Sequence, residues 1–273
     1  MADLKSRVAS ALLMAAAALA ATWWGDWPFA IIWLVAAALA ATEFLAMVGA
    51  RGRAPLLLSL VSILLSGFWA HDLAQAPIRS AGAPLLFLFV ALVIGGALAG
   101  LTAARGARRW AAFAAPCAGL IAIVPIVGRS DHVGGLSLIC WLFATVWFTD
   151  IAAYFAGRAI GGPKLWPAVS PKKTWAGAVG GMIAGVLAGV AVLLWLGRPP
   201  LFASWSMASI VAFTLVATLM AEAGDLAESA MKRKFQVKDS GHLIPGHGGL
   251  MDRLDGFWAV CLLLGLTMLI TEG

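Results

Sequence analysis

Residues 84–104 read PLLFLFVALVIGGALAGLTAA and contain no charged side chain. About 20 apolar residues in a helix span the hydrocarbon core of a bilayer. Because unpaired backbone groups are too costly in lipid, such a stretch is expected to be helical. Eight further stretches are also predominantly apolar, and the nine predicted spans are 8–24, 28–50, 55–71, 84–104, 110–127, 135–157, 175–197, 203–224 and 254–271. The predicted fold class is therefore an all-α, polytopic transmembrane protein.

The overall composition agrees with this fold class. The chain is 62% hydrophobic and only 12% charged, whereas a soluble domain carries about 25% charged residues. Lys5 and Arg7 precede the first apolar run, so a signal peptide is the alternative interpretation of that run. Trp23 and Trp24 at its end fit an interfacial anchor better than a cleavage site. We therefore interpret the run as the first span.

The distribution of basic residues predicts the orientation of the chain. With the N-terminus in the cytoplasm, all but three of the 19 lysines and arginines fall on cytoplasmic segments, as the positive-inside rule requires. The exceptions are Arg79, Arg129 and Arg198. Nine spans then leave the C-terminus outside. This bias and the attraction of anionic lipid account for the net charge of +6, so no nucleic-acid partner is needed.

The chain divides into two regions of different character. Residues 1–130 are predicted to be N-terminal transmembrane helices with few polar side chains. Residues 131–273 are predicted to be a C-terminal transmembrane catalytic region. This second region contains two long polar connections on the cytoplasmic side, at 158–174 and 225–253. The strong chemical signals lie in or beside these connections, which predicts an active site at the cytoplasmic face.

A glycine repeat lies between the two polar connections. Gly177, Gly181, Gly185 and Gly189 recur every four residues, which places them on one face of the seventh predicted helix. Small residues at this spacing let another helix approach closely. We interpret the repeat as a packing surface.

Acidic side chains within or beside predicted spans are candidates for function, because charge in a membrane is costly. Asp150, Tyr154 and Arg158 have i, i+4, i+8 spacing and share one helix face. A structural Asp–Arg pair is the alternative interpretation. Glu43 lies near the cytoplasmic end of the second span. It either has a function or sits at the interface beside a nearby arginine, and the sequence leaves both possibilities open.

The connection at 163–174 predicts an anion site. Its three prolines are incompatible with a continuous helix. Ser170, Lys172, Lys173 and Thr174 then stand at the start of the seventh helix, where free N–H groups and the helix dipole favour phosphate. Ordinary cytoplasmic lysines are the alternative. We predict phosphate binding.

The stretch 222–256 contains the most chemically reactive side chains. Glu222, Asp225, Ser229 and Lys232 share a helix face, and a glycine turn and a second acidic cluster follow. Carboxylates bind Mg²⁺, basic side chains neutralise a triphosphate, and two metals can clamp an in-line displacement. This mixture indicates phosphoryl or nucleotidyl transfer to a lipid. A histidine in the turn, His247, more often donates a hydrogen bond than acts in catalysis.

Residues 229–255 read SAMKRKFQVKDSGHLIPGHGGLMDRLD. This stretch resembles the signature of the phosphatidate cytidylyltransferases, also called CDP-diacylglycerol synthases. Residues 170–175, SPKKTW, resemble a second marker of that family. The chain departs from the family at Ala176, where glutamate is usual. It also departs at Ile151 and Ala152, where a small polar residue and glycine are usual, and these departures concern substrate contacts in that region.

The resemblance implies a reaction of CTP with phosphatidic acid that gives CDP-diacylglycerol and pyrophosphate, with Mg²⁺ as one ion or as a pair. It implies a homodimer in contact with membrane lipids. The implied catalytic residues are Asp225, Lys232, Asp252 and Asp255, and the implied metal ligands are Asp225, Asp252 and Asp150. The implied substrate-binding residues are Ser170, Lys172, Lys173, Thr174, Arg233, Lys238, Gly246, His247, Gly248, Gly249 and Arg253.

Other functions remain open from the sequence. A CTP-dependent polyprenol or phytol kinase is the nearest alternative enzyme, and the complete Asp-Arg-x-Asp motif argues against it. A relative that makes CDP-archaeol differs only in the lipid. A transporter is less favoured, because the acids cluster at one face. The high alanine and glycine content indicates a bacterial chain, and hence an inner (plasma) membrane location with the active site facing the cytoplasm.

Overall fold

The computed structural model describes residues 2–50, 52–74, 82–129, 134–244 and 248–271. Helices dominate these ranges. They are α1 (Ala2–Trp24), α2 (Asp26–Met47), α3 (Arg53–Ala74), α4 (Gly82–Thr102), α5 (Arg108–Ala111), α6 (Ala114–Gly128), α7 (Gly135–Ala159), α8 (Trp175–Leu196), α9 (Met207–Lys234) and α10 (Asp255–Thr271). A small hairpin, β1 (Lys164–Trp166) and β2 (Ser170–Thr174), precedes α8, and 3₁₀ turns cover Pro200–Phe202 and Met251–Arg253.

Seven segments among the described residues are long and apolar enough to cross a membrane. They are α2, α3, α4, α5 together with α6, α7, α8 and α9. Two shorter apolar helices, Ser10–Trp24 and Asp255–Thr271, correspond to the first and ninth predicted spans. The prediction of an all-α, polytopic membrane protein is therefore confirmed.

Helix α9 is longer than the sequence predicted. The predicted span ended at residue 224, where hydropathy falls, whereas the helix continues to Lys234. Its 28 residues correspond to about 42 Å at 1.5 Å per residue, more than the roughly 30 Å hydrocarbon core. The last turns therefore extend beyond the lipid and carry polar side chains on an unbroken helix.

The connection before α8 forms an antiparallel hairpin. Lys164 pairs with Thr174, and Trp166 pairs with Ser170. The prolines prevent a helix here, as predicted. Thr174 ends β2 and caps α8, because its Oγ1 accepts a hydrogen bond of 3.1 Å from the N–H of Gly177. The hairpin is thus fixed directly to the start of a membrane helix.

The glycine repeat packs α8 against α7, as predicted. A Cβ at Gly177 would lie 2.8 Å from the carbonyl oxygen of Ala153, and a Cβ at Gly181 would lie 2.7 Å from that of Thr149. Real Cβ atoms do not approach a carbonyl so closely. The absence of side chains at this face therefore brings the two helix backbones together.

One hydrophobic core crosses the boundary between the two predicted regions. It runs from Ala21 in α1 to Met268 in α10. Trp33 of α2 stacks on Phe257 of α10, with ring centroids 4.7 Å apart. Phe143 of α7 stands within 6.0 Å of Trp33 in the same aromatic cluster. The N-terminal helices and the polar C-terminal region are therefore packed as one body.

Four helix ends meet at one end of the bundle. The C-terminal parts of α7 and α9 lie beside the N-terminal parts of α8 and α10, with the hairpin against them. Neighbouring antiparallel helices produce this arrangement, since each short connection returns the chain to the same side. The polar residues of distant segments are thereby gathered into one place.

Candidate active site

A cavity of about 650 Å³ opens at this end of the bundle. Six basic side chains line it: Arg158, Lys164, Lys172, Lys173, Lys232 and Arg253. Six acidic side chains also line it: Asp150, Glu222, Asp225, Asp239, Asp252 and Asp255. Thr174 and Tyr154 add hydroxyl groups. Equal numbers of basic and acidic side chains suit a ligand that contains both phosphates and a bound cation. They suit a simple anion less well.

The cavity reaches into the membrane-spanning part of the bundle. Asp150 stands nine residues before the end of α7 at Ala159, which is about 14 Å along a helix. Tyr154 and Arg158 share its face, as the spacing predicted, and Arg158 donates a long hydrogen bond of 3.5 Å to the Tyr154 hydroxyl. One wall of the cavity is therefore a polar stripe on a transmembrane helix.

The two polar connections meet through an ion pair. The Nζ atom of Lys173, at the end of the hairpin, lies 2.7 Å from Oδ2 of Asp225 on α9. The other oxygen of Asp225, Oδ1, accepts a hydrogen bond of 3.3 Å from Ser229. Two residues that the sequence singled out in separate segments are thus in contact. A negatively charged phosphate would compete with Asp225 for this lysine.

A second lysine stands between two carboxylates. The Nζ atom of Lys232 lies 2.6 Å from Oδ1 of Asp252 and 3.1 Å from Oε1 of Glu228. Glu228 is only 2% exposed, so its contact with Lys232 lies largely inside the protein. Removing one partner of a buried pair is expensive because it leaves the other without compensation. The position of Lys232 at the cavity wall is therefore well defined.

Asp252 is held by three donors. In addition to Lys232, its carboxylate accepts hydrogen bonds of 2.9 Å from the backbone N–H groups of Ser240 and Gly249. Burial alone would raise the pKa of Asp252. The hydrogen bond from Lys232 and those from Gly249 and Ser240 outweigh burial and hold the pKa below its usual value. Asp252 is therefore an ionised group that joins α9 to the loop before α10.

The carboxylates have the right chemistry for a divalent cation. Asp150, Glu222, Asp225 and Asp255 line the same cavity, and hard oxygen ligands are those that Mg²⁺ prefers. Among the described residues, no donor lies within hydrogen-bonding distance of the buried Oε1 of Glu222. Within the same residues, no three acidic, histidine or cysteine side chains stand close enough to enclose an ion as they are. The donor set fits a cation that is completed by water and phosphate oxygens.

The predicted anion site at the start of α8 is only partly available. The N–H of Gly177 is used by Thr174, and the N–H of Trp175 donates to the carbonyl of Pro163 at 3.1 Å. Lys172, Lys173 and Thr174 nevertheless line the cavity. Lysine side chains, rather than backbone groups, are therefore the main source of positive charge here.

Several predicted substrate-binding residues lie away from the cavity lining. Ser170 pairs with Trp166 in the hairpin, and Arg233 donates a hydrogen bond of 3.5 Å to the carbonyl of Val169. Lys238 is exposed. Gly248 pairs with Ile244, and Gly249 donates to Asp252. The predicted residues Gly246 and His247 lie outside the described residues. The roles of these residues in substrate binding stay predictions.

Two residues that line the cavity, Lys164 and Asp239, were not predicted as functional residues, and the role of a third residue, Glu43, was left open. Lys164 lines the cavity because the hairpin register brings it opposite Thr174. Asp239 lines it from the loop after α9. Glu43, whose role the sequence left open, reaches the same loop from α2, although α2 lies in the plain N-terminal region. Contacts between distant parts of the chain bring these residues to the site, and no local sequence pattern predicts their positions there.

Comparison with known proteins agrees with this geometry. Residues 5–271 match the model of the cytidylyltransferase family. Proteins from Brucella suis biovar 1 and Brucella abortus biovar 1, both named phosphatidate cytidylyltransferase, are 37% identical to the chain over 266 residues. The alignments cover 97% of this chain and 93% of each relative. A protein of the same name from Staphylococcus haemolyticus is 39% identical over 141 residues, 52% of this chain and 51% of its own.

The family match and the Brucella relatives extend over nearly the whole chain, including the N-terminal helices that carry no sequence motif. They therefore include both walls of the charged cavity and the aromatic core behind it. The chain belongs to the cytidylyltransferase family.

Proposed function

We propose that this protein transfers CMP from CTP to phosphatidic acid, which yields CDP-diacylglycerol and pyrophosphate for phospholipid synthesis. The observation that carries the proposal is the single cavity that combines six basic and six acidic side chains at the end of a transmembrane bundle. A lipid phosphate can reach such a cavity from the membrane, and a nucleotide can reach it from the aqueous side. The name of the Brucella relatives agrees with this reaction.

The chemistry requires positioning more than proton transfer. An oxygen of the phosphatidate phosphate attacks the α-phosphorus of CTP, and the bond from that phosphorus to the bridging oxygen of pyrophosphate breaks. Because the phosphate is already ionised, a strong general base is not required. Lys172, Lys173 and Lys232 neutralise the phosphates that must approach each other. Orientation and fixed charge then lower the barrier.

The proposed metal is Mg²⁺, and the carboxylates of Asp225, Asp150, Asp255 and Glu222, which line the cavity, would supply its protein ligands. A bound cation would neutralise charge on the triphosphate and the departing pyrophosphate. Asp252 was also predicted as a metal ligand. Its contacts with Lys232 and two backbone N–H groups favour a role in orienting that lysine, and ligation would require Asp252 to exchange partners.

The basic residues favour an orientation in the membrane. The cavity collects six of them, and the positive-inside rule puts such a face in the cytoplasm, where CTP is available. We therefore propose an inner-membrane enzyme whose active site faces the cytoplasm. The family resemblance also favours a homodimer, which remains a proposal.

The test is pyrophosphate release by the purified protein in detergent micelles. Release is expected only when CTP, phosphatidic acid and Mg²⁺ are all present, with one pyrophosphate per CDP-diacylglycerol. Diacylglycerol, which lacks the attacking phosphate, serves as the matched control lipid. CTP consumption with a polyprenol or phytol, with release of CDP, would instead support the kinase. The absence of CTP consumption with any lipid would refute both.

A further inference from the structure

Glu43 binds the loop that immediately precedes the active-site residue Asp252 in the chain. The described parts of this loop, between α9 and α10, are residues 240–244 and 248–251. Oε1 of Glu43 accepts a hydrogen bond of 3.0 Å from the N–H of Leu250, and Oε2 accepts one of 2.8 Å from the N–H of Met251. Oε2 also accepts a bond of 3.2 Å from the Ser240 hydroxyl. One side chain of α2 therefore holds both ends of the loop.

The same loop ends are held by Asp252. Its Oδ2 accepts from the N–H groups of Ser240 and Gly249, while Oδ1 accepts from Lys232. The three consecutive N–H groups of residues 249–251 are thus divided between the two carboxylates. Asp252 and Glu43 therefore both accept hydrogen bonds from the loop backbone. Of these two residues, Asp252 is the one that lines the cavity.

Two glycines make room for the Glu43 carboxylate. A Cβ at Gly241 would lie 2.6 Å from Oε1 of Glu43, and a Cβ at Gly249 would lie 2.5 Å from Oε2. Both distances are shorter than real Cβ contacts. The loop backbone at these two glycines therefore packs closely against the Glu43 carboxylate, and a side chain at either position would collide with it.

We propose that Glu43 is a positioning residue for the reaction: it fixes the loop and thereby orients Asp252 toward Lys232. Glu43 does not line the cavity, so it would act through Asp252 and the loop. The kinetic test of this inference rests on the proposed function. The N-terminal half of the chain then contributes directly to the active site. A carboxylate is required because three donors converge on its two oxygens, and each charge-assisted hydrogen bond is stronger than a neutral one.

The test compares Glu43→Gln and Glu43→Asp with the wild type. Glutamine keeps the size of the side chain but replaces one acceptor with an NH₂ group that faces an N–H donor. Loss of a supporting partner of this kind typically costs about 10- to 100-fold in activity, and we expect kcat to fall by that factor while the KM for CTP changes much less. Glu43→Asp keeps the charge with a shorter reach and is expected to recover part of kcat.

A second readout does not depend on enzyme activity. Hydrogen exchange followed by mass spectrometry reports the Leu250 and Met251 amides directly. Glu43→Gln is expected to speed exchange in peptides that cover 248–254 and to leave peptides of α2 and α8 unchanged. Thr42→Ala is the matched control, since the Thr42 hydroxyl bonds only to the Leu39 carbonyl in its own helix. The control is expected to match the wild type in both readouts.

The outcomes separate the two proposals. Wild-type kcat in Glu43→Gln, or unchanged exchange at 248–254, would overturn the positioning role. The positioning role would also be overturned if amide exchange became faster throughout α2 and if Glu43→Gln and Glu43→Asp lost kcat equally. Glu43 would then only stabilise the fold. If the wild-type protein itself lacks cytidylyltransferase activity, the proposed function fails, while the exchange measurement still tests the contact of Glu43 with the loop.

Discussion

Replacing Asp252 with asparagine tests how the site is held together. The side chain is 7% exposed and accepts hydrogen bonds from Lys232, Ser240 and Gly249. Asparagine has nearly the same shape, so the substitution removes charge without creating a cavity. Its NH₂ group must then face one of three donors. Among the described residues, Glu228 is then the acidic side chain that remains in direct contact with Lys232.

The expected loss of stability is moderate. A hydrogen bond to a charged group contributes about 1.5–3 kcal/mol, and a buried donor left unpaired costs about 1–3 kcal/mol. Because Glu228 still compensates Lys232, the loss should stay below the roughly 3–5 kcal/mol that follows when a buried pair is broken. We expect the free energy of unfolding to fall by about 3 kcal/mol. The variant should therefore fold, while its turnover falls about 10- to 100-fold.

The effect on stability has a defined dependence on pH. The folded-state pKa of Asp252 is lowered, so its ionised carboxylate stabilises the folded protein. This contribution is fully present above the unfolded pKa of about 3.9. It is lost as the pH falls through the folded-state pKa. The difference in stability between the wild type and Asp252→Asn should stay constant from about pH 8 to pH 5. It should shrink only below about pH 4.

The assay combines thermal unfolding in detergent without divalent cations with steady-state rates of pyrophosphate release. Asp72→Asn is the control, because Asp72 is exposed and lies far from the cavity, at the end of α3. Wild-type turnover in Asp252→Asn would refute the assignment of Asp252 to the active site. A stability difference that grows as pH falls from 8 to 5 would refute the ionised, multiply bonded state of this carboxylate.

The remaining predictions concern substrate binding, packing and orientation. Lys173→Met should lower kcat/KM for CTP by about 10- to 100-fold, since one charged contact is worth about 1.5–3 kcal/mol; steady-state kinetics measures this, with partial recovery in Lys173→Arg. Gly185→Val should destabilise the protein by about 1–3 kcal/mol through overpacking against α7. The lipid-facing control Leu187→Val should leave the melting temperature unchanged. Equal melting temperatures for the two variants would contradict the packing role of Gly185. In sealed vesicles of a cysteine-free protein, an impermeant maleimide should label Lys238→Cys and Arg198→Cys from opposite sides, and labelling from one side would disprove the orientation.

Helix positions could be predicted because they depend on local hydropathy. Every predicted span has a helix, and the Gly181 and Gly185 face packs against α7 as its spacing indicated. The end of α9 could not be found this way, since a helix can continue into water when polar side chains such as Lys232 replace apolar ones. Hydropathy reports where lipid ends and not where the helix ends.

The site could be predicted only where its residues lie in a motif. Lys173, Asp225 and Asp252 were recognised from their spacing and lie in or beside one cavity. Lys164 enters through the hairpin register, and Glu43 binds a loop about 200 residues further along the chain. Such contacts follow from tertiary packing, which a single sequence does not display. At the predicted anion site before α8, two backbone N–H groups already donate to Thr174 and Pro163, and such pairing is also not visible in the sequence.

The most direct test follows the fate of the α-phosphate of CTP. The purified protein is incubated with CTP labelled at that phosphate, phosphatidic acid and Mg²⁺, and lipid is then separated from water-soluble label. The account predicts that label moves into a lipid that co-migrates with CDP-diacylglycerol, with an equal amount of pyrophosphate released. Label that stays in soluble CDP, or CTP that is not consumed, would contradict the account.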